Sequence, residues 1–102
     1  MKYQIAVTTL SKENVAQSIA KTIVEKKLAA CAKIIPSIES TFWWQHKIEN
    51  ENEVMILFVT KNFGKLKKEL KKIHPYKVPE IISLEIKKGN KEYLKWIDEV
   101  TE

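Results

Sequence analysis

The apolar residues of this chain switch twice from a strand period to a helix period, and this order restricts the folds that the chain can adopt. Residues 3–9 alternate large apolar with small or polar side chains, as a half-buried strand does. Residues 15 to about 27 then place apolar side chains at helical spacing. Ser11 is the candidate N-cap, and Glu13 lies near the positive end of the helix dipole. The first part of the chain therefore predicts a strand followed by an amphipathic helix.

The second switch occupies the C-terminal half. A helix with a lysine-rich face begins near Asn62 and ends by His74, because a residue that precedes proline is disfavoured in the helical conformation. After a proline-rich corner, residues 81–87 predict a long strand. A turn at residues 89–90 then leads to a short C-terminal helix.

The segment between the two helices predicts further strands. Residues 28–35 are small and apolar, and alternation resumes from residue 38 to about residue 48. Pro36 therefore indicates a bend or bulge within one long strand or strand pair. The polar run 49–53 predicts a turn or the start of the next strand. Residues 54–60 are continuously apolar, which is typical of a central strand covered on both faces.

The order β-α-β-β-α-β with an added C-terminal helix predicts an α+β fold. Two right-handed crossovers bring four strands into one antiparallel sheet with both helices on one face, which is the ferredoxin-like split βαβ plan. A chain of 102 residues suffices for a single domain, residues 1–102. The second sheet face stays uncovered, and the adjacent Trp43 and Trp44 point to opposite faces. We therefore expect a homo-oligomer that buries this apolar surface.

Composition limits the partners that the chain is expected to bind. The net charge is +5, but all 18 cationic residues are lysines, and without arginine specific nucleic-acid readout is not expected. No apolar run approaches the roughly 18 residues of a membrane span, so no membrane partner is expected. The N-terminus resembles a mature strand rather than an export signal, and the single cysteine, Cys31, excludes an internal disulfide. The expected location is therefore the cytoplasm.

A few residues could carry chemistry, and each also has a purely structural interpretation. Cys31 is either a core hydrophobe or a thiolate ligand for a soft metal such as Cu(I). His74 either interacts with the dipole at the end of its helix or acts as a metal ligand or acid–base group. Lys61 and Glu80 either meet near Tyr76 in a cleft or are two solvated strand ends. The sequence contains no phosphate-binding glycine loop, HExxH or CxxC motif, so it specifies no catalytic apparatus.

Four short stretches follow one another in an order that is specific to one family. They are residues 28–36 (LAACAKIIP), 42–48 (FWWQHKI), 74–82 (HPYKVPEII) and 89–96 (GNKEYLKW). Together they resemble the CutA divalent-cation tolerance family over nearly the whole chain. The resemblance implies a homotrimer of ferredoxin-like subunits, similar in architecture to the PII signalling proteins. It also implies a role in tolerance to divalent metals, with copper binding and no established enzymatic reaction.

The resemblance also implies which residues line or support a cleft between subunits. Carried over to this chain, they are Cys31, Trp44, Lys61, His74, Pro75, Tyr76, Pro79 and Glu80. Within this set, His74 is the implied metal ligand. Some members proposed as copper proteins have a cysteine where this chain has Thr8 and Thr9, and a second histidine where it has Ile73.

Two functions follow as hypotheses. In the first, the chain is a cytoplasmic homotrimer that binds divalent cations, copper or another, weakly through His74 and carboxylates assembled by the trimer. In the second, it is a PII-like signalling or scaffold module. Its cleft of Trp44, Lys61, Tyr76 and Glu80 then binds a small metabolite or anion, with the lysine as anchor. An enzyme is not expected, because no spacing specifies a nucleophile–base pair.

Overall fold

The computed structural model describes residues 2–102 as one four-stranded sheet with three helices. The elements are β1 (Gln4–Leu10), α1 (Glu13–Glu25), β2 (Cys31–Trp44), β3 (Lys47–Thr60), α2 (Phe63–Ile73), β4 (Ile81–Glu85) and α3 (Lys91–Val100). The strand order is β2-β3-β1-β4, and all neighbouring strands are antiparallel. The predicted α+β, ferredoxin-like fold is therefore confirmed.

The main core lies between one sheet face and helices α1 and α2. Alternate residues of the central strands, such as Ala6 and Phe58, point to this face and are fully buried. From the helices, Ile23, Leu66 and Leu70 meet them at helical spacing. Each of these two helices connects two parallel strands, and right-handed crossovers in this strand order bring both helices onto the same face.

The other sheet face is covered only at one end, by α3. Ile97 of α3 is fully buried and clusters with Ala30 and Val59. Beyond α3, Ile82 is 49% exposed and Leu84 is 57% exposed. The structure thus leaves part of this face open, as the sequence predicts.

Among residues 2–102, no helix combines the length and apolar character needed to cross a bilayer.

Strands β2 and β3 form a long hairpin whose turn differs from the prediction. The register shifts between Ile35 and Ile38, so the predicted bulge at Pro36 is confirmed. The turn, however, lies at Gln45 and His46, which have φ of 48° and 68°. The prediction that the strand continues to about residue 48 was wrong. Of the two alternatives for residues 49–53, a turn or the start of the next strand, the structure has the strand. Two-residue turns with positive φ usually carry asparagine and glycine, and this turn carries neither.

The two crossover helices begin and end by different means. Asn62 caps α2, and its side chain accepts a hydrogen bond from the Lys65 N–H at 3.1 Å, as expected of an asparagine N-cap. The Ser11 cap of α1 was a wrong prediction, because Lys12 occupies the cap position and its side chain makes no capping bond. The end of α1 is a Schellman motif. In it the Leu28 N–H donates to the Ile23 carbonyl at 3.1 Å.

Replacing Lys27 with glycine is expected to stabilise the fold. Lys27 follows the helix cap with φ of 60°, a left-handed conformation that glycine adopts without steric cost. Lys27→Gly should raise the free energy of unfolding by about 0.5–1 kcal/mol, measured by chemical denaturation. Lys21→Gly, at an exposed position inside α1, should lower it by about 1 kcal/mol. Destabilisation by both substitutions would contradict the assigned helix end.

Candidate functional site

A cleft of about 850 Å³ lies between the β2–β3 hairpin, the end of β1 and the corner formed by residues 74–80. Three residues of the predicted site line it, namely Trp44, Tyr76 and Glu80. The remaining walls come chiefly from hairpin strands and the corner. Because the hairpin extends well beyond the other strands, the cleft has sheet on one side only.

His74 holds the corner against β1 from behind the cleft. Its side chain is 8% exposed, and its Nδ1 accepts the Tyr76 N–H at 3.0 Å. The proton of the neutral ring is therefore on Nε2, which lies 3.0 Å from both the Thr9 carbonyl oxygen and the Thr8 hydroxyl. Burial lowers the pKa of the imidazole, against the opposing effect of the Thr9 carbonyl. A metal ion could bind His74 only in place of one of these hydrogen bonds.

Tyr76 connects the same corner to β3. Its hydroxyl donates to Oε2 of Glu53 at 2.6 Å, and Glu53 is only 6% exposed. Burial, followed by the hydrogen bond to Glu53, raises the pKa of Tyr76 to about 12. The phenol therefore stays protonated at neutral pH and serves as a fixed donor to a buried carboxylate.

The cleft is lined by four acidic side chains, and the sequence prediction missed all of them except Glu80. Glu49, Glu51, Glu53 and Glu80 all line it, and Lys77 is the one cationic residue that does so among residues 2–102. The signal was present in the run ENENE, because alternate residues of a strand share a face. The signal was missed because the sequence left residues 49–53 open between a turn and the start of a strand. The cleft therefore favours cations over anions.

Lys61 lies far from the cleft, and its predicted proximity to Glu80 was wrong. Strands β3 and β4 flank β1 and run in the same direction, so the end of β3 lies beside the end of β4. Glu80 precedes the start of β4, roughly 15 Å away along the strand. Lys61 instead pairs with Asp98 of α3, with Nζ 3.5 Å from Oδ1. Hydrogen bonds from Tyr3 and then Lys2 hold the pKa of that carboxyl below its ordinary value.

Cys31 lies outside the cleft as well. It begins β2 on the sheet face beneath α3 and is partly exposed. Its Sγ lies 3.6 Å from the Tyr93 hydroxyl and 3.8 Å from Nζ of Lys33. The hydrogen bond to Cys31 raises the pKa of Tyr93. Within residues 2–102, no three or more His, Cys, Asp or Glu residues converge as a metal-binding group.

The role of His74 predicts a specific pH dependence of stability. Its pKa is lowered in the folded state, whereas an unfolded histidine titrates near pH 6.5. Its contribution is therefore fully present above about pH 6.5 and declines as the pH falls below that value. At pH 7.5, His74→Gln should lower the free energy of unfolding by about 1–3 kcal/mol, measured by chemical denaturation.

Chemical denaturation at pH 5.5 separates the effect of protonating His74 from a simple loss of packing around its side chain. The difference between wild type and His74→Gln should shrink at the lower pH, because protonation already weakens the native contacts of the imidazole. His46→Gln serves as the control, since His46 lies in the exposed hairpin turn. If the free energy of unfolding depended on pH equally in wild type and in His74→Gln, His74 could not be a neutral, hydrogen-bonded group.

Comparisons with known proteins agree on one family. The family model described as CutA1 divalent ion tolerance protein matches residues 4–100. The Divalent-cation tolerance protein CutA of Thermus thermophilus is 43% identical over 100 residues, which cover 96% of this chain and 97% of that protein. Protein CutA of Mus musculus is 41% identical over 99 residues, which cover 95% of this chain but only 56% of the mouse protein.

A solved structure extends the comparison to the fold. The protein of Archaeoglobus fulgidus described as a periplasmic divalent cation tolerance protein CutA superposes with a TM-score of 0.94 at 40% identity. The match covers 98% of this chain and 99% of that one. The similarity thus includes the hairpin and the corner, which together carry all of the predicted site residues except Lys61, and it includes Lys61 after β3 as well.

Proposed function

The chain belongs to the family of CutA1 divalent ion tolerance proteins. On that premise we propose that it acts as a cytoplasmic homotrimer that binds divalent cations weakly, copper among them, in its glutamate-lined cleft. The observation that carries the proposal is that four glutamates, Glu49, Glu51, Glu53 and Glu80, line one cleft. The protein from Archaeoglobus fulgidus is described as periplasmic. For this chain, the cytoplasmic location is part of our proposal.

The donors in the cleft favour weak rather than tight binding. Carboxylate and hydroxyl oxygens suit hard divalent cations, whereas copper prefers imidazole nitrogen among its ligands. One protomer does not bring three such ligands together within residues 2–102, so it offers no complete ligand set for copper. We therefore place the cation on the exposed glutamates Glu51 and Glu80, with the remaining ligands supplied by water or a neighbouring subunit.

Exposed apolar side chains support the proposed homotrimer. Ile82 and Leu84 are exposed on the open sheet face, and Trp43 is 71% exposed on the hairpin. Strands β2 and β4 are the two edges of the sheet, so both have backbone groups available for pairing with another chain. Association between copies would bury this surface and pair these edges.

The geometry favours a binding protein over an enzyme and cation binding over anion binding. Lys61 and Glu80 lie at opposite ends of β4, and His74 is engaged on both ring nitrogens, so these acid–base candidates do not converge. In the alternative function, that of a PII-like module, Lys61 is the anchor that binds an anion or metabolite. Within one protomer, Lys61 is paired with Asp98 and lies outside the cleft.

The oligomeric state can be measured by light scattering after size exclusion. We expect a mass of three times the 11.9 kDa chain. The double substitution Ile82→Glu and Leu84→Glu places two charges on the open sheet face and should release monomers, because burying unpaired charges is costly. Lys21→Glu, on the exposed side of α1, is the control and should stay trimeric. A monomeric wild type would contradict the proposal.

The cation site can be tested by calorimetric titration of Mn²⁺ and Cu²⁺. The double substitution Glu51→Gln and Glu80→Gln should weaken binding roughly tenfold or more, since loss of even outer-shell partners has effects of that size. Glu25→Gln with Glu99→Gln removes the same charge from exposed helix positions and should leave the affinity unchanged.

Two outcomes of these titrations would overturn the proposal. One is unchanged affinity in the Glu51/Glu80 variant. The other is loss of Cu²⁺ binding in His74→Gln with no loss in the glutamate variant, which would identify His74 as the metal ligand.

A parallel thermal-shift screen in metal-free buffer addresses the alternative function. A metabolite that raises the melting midpoint beyond the effect of equal ionic strength would favour the PII-like module.

A further inference from the structure

A second, smaller cavity of about 320 Å³ lies between α2 and the corner that precedes β4. Lys67 and Lys71 of α2 and Lys77 of the corner supply its charged side chains. Its apolar lining comes from Val78, Pro79 and Ile81. We call this cavity the lysine groove. Nothing in the proposed cation function uses it.

The lysines of the groove take part in none of the ion pairs of the described chain. Among residues 2–102, neither Lys67, Lys71 nor Lys77 forms an ion pair with a carboxylate. The one acidic residue of α2 is Glu69, and it is engaged by Lys26 at 2.8 Å and by Lys72 at 4.0 Å. The Lys26 ammonium holds the pKa of Glu69 below its ordinary value.

The three lysines are held close together by the fold. Lys67 and Lys71 are four residues apart, so they share one side of α2, where like charges repel. The Lys67 ammonium lies 5.7 Å from the centre of the Phe63 ring. Lys77 comes from a corner that is fixed by the His74 hydrogen bonds and by prolines on either side. An anion in the groove would relieve this repulsion.

We propose that the lysine groove binds a small anion that carries two or more linked phosphate groups. Lysine ammoniums are compact point charges that bind phosphate, and three of them match an anion of several charges better than a single carboxylate. The volume is near the lower limit for small-molecule sites, and no aromatic side chain lines the groove for stacking of a base. The recognised group is therefore the oligophosphate itself.

Inorganic tripolyphosphate is the probe, titrated calorimetrically into the full chain in buffer stripped of divalent metals. Removing metals separates this site from the acidic cleft, whose lining also includes Lys77. The triple substitution of Lys67, Lys71 and Lys77 to glutamine should weaken binding about tenfold or more, because it removes all three positive charges of the groove. Circular dichroism and thermal melting establish that each variant is folded.

The matched control replaces Lys21, Lys88 and Lys95 with glutamine, which removes the same charge from exposed positions outside the groove. Its affinity for tripolyphosphate should stay within about twofold of wild type. Equal weakening in both variants would show a diffuse charge effect and overturn the proposal, as would the absence of wild-type binding at millimolar tripolyphosphate.

Further titrations distinguish sources of the phosphate group. ATP and tripolyphosphate should bind with similar affinity, because the groove contacts phosphates alone, and single inorganic phosphate should bind more weakly. A single-stranded RNA oligonucleotide that binds more tightly than tripolyphosphate, with equal losses in both lysine variants, would contradict a built oligophosphate site. These results are independent of the cation titrations, so either proposal can fail alone.

Discussion

The hydrogen bonds of the His74 imidazole hold the α2–β4 corner against β1, and the position of each functional side chain on that corner depends on them. One ring nitrogen accepts the Tyr76 N–H, and the other lies against the Thr8 hydroxyl and the Thr9 carbonyl oxygen. Tyr76 in turn reaches Glu53 on β3. The corner is thus tied to both central strands, which fixes the cleft wall without a metal ligand.

The corner also separates two regions of opposite charge. Lys77 and Val78 line both cavities, with carboxylates on the hairpin side and lysines on the α2 side. A net charge of +5 for the whole chain describes neither region. The net charge of such a protein therefore says little about its partners, because recognition depends on the electrostatic field inside each cavity.

Much of the fold could be predicted from the sequence because local patterns and global topology agree. The two helical periods, the Asn62 cap and the stop before Pro75 each specify one structure. The hairpin turn could not be predicted, since Gln45 and His46 adopt positive φ that their residue types do not indicate. The pairing across β2 and β3, rather than the local sequence, determines that turn.

The candidate site was predicted less completely than the fold. Tyr76 and Glu80 were assigned to the cleft from the start of the last strand and from the family resemblance. The direction of the strands was not considered when Lys61 was placed. As a result, a lysine at the far end of the sheet was placed beside Glu80. The glutamates of β3 were missed because a polar run can be either a turn or an exposed strand, and only the register distinguishes the two.

In our proposal, divalent cations bind at the glutamates of the cleft and not at His74. Anomalous diffraction from crystals soaked in Mn²⁺ or Cu²⁺ tests it directly. The account predicts a peak within about 2.0–2.6 Å of carboxylate oxygens of Glu51 or Glu80, with the His74 hydrogen bonds intact. A peak on the His74 imidazole, with its hydrogen bonds to β1 or Tyr76 broken, would contradict the account.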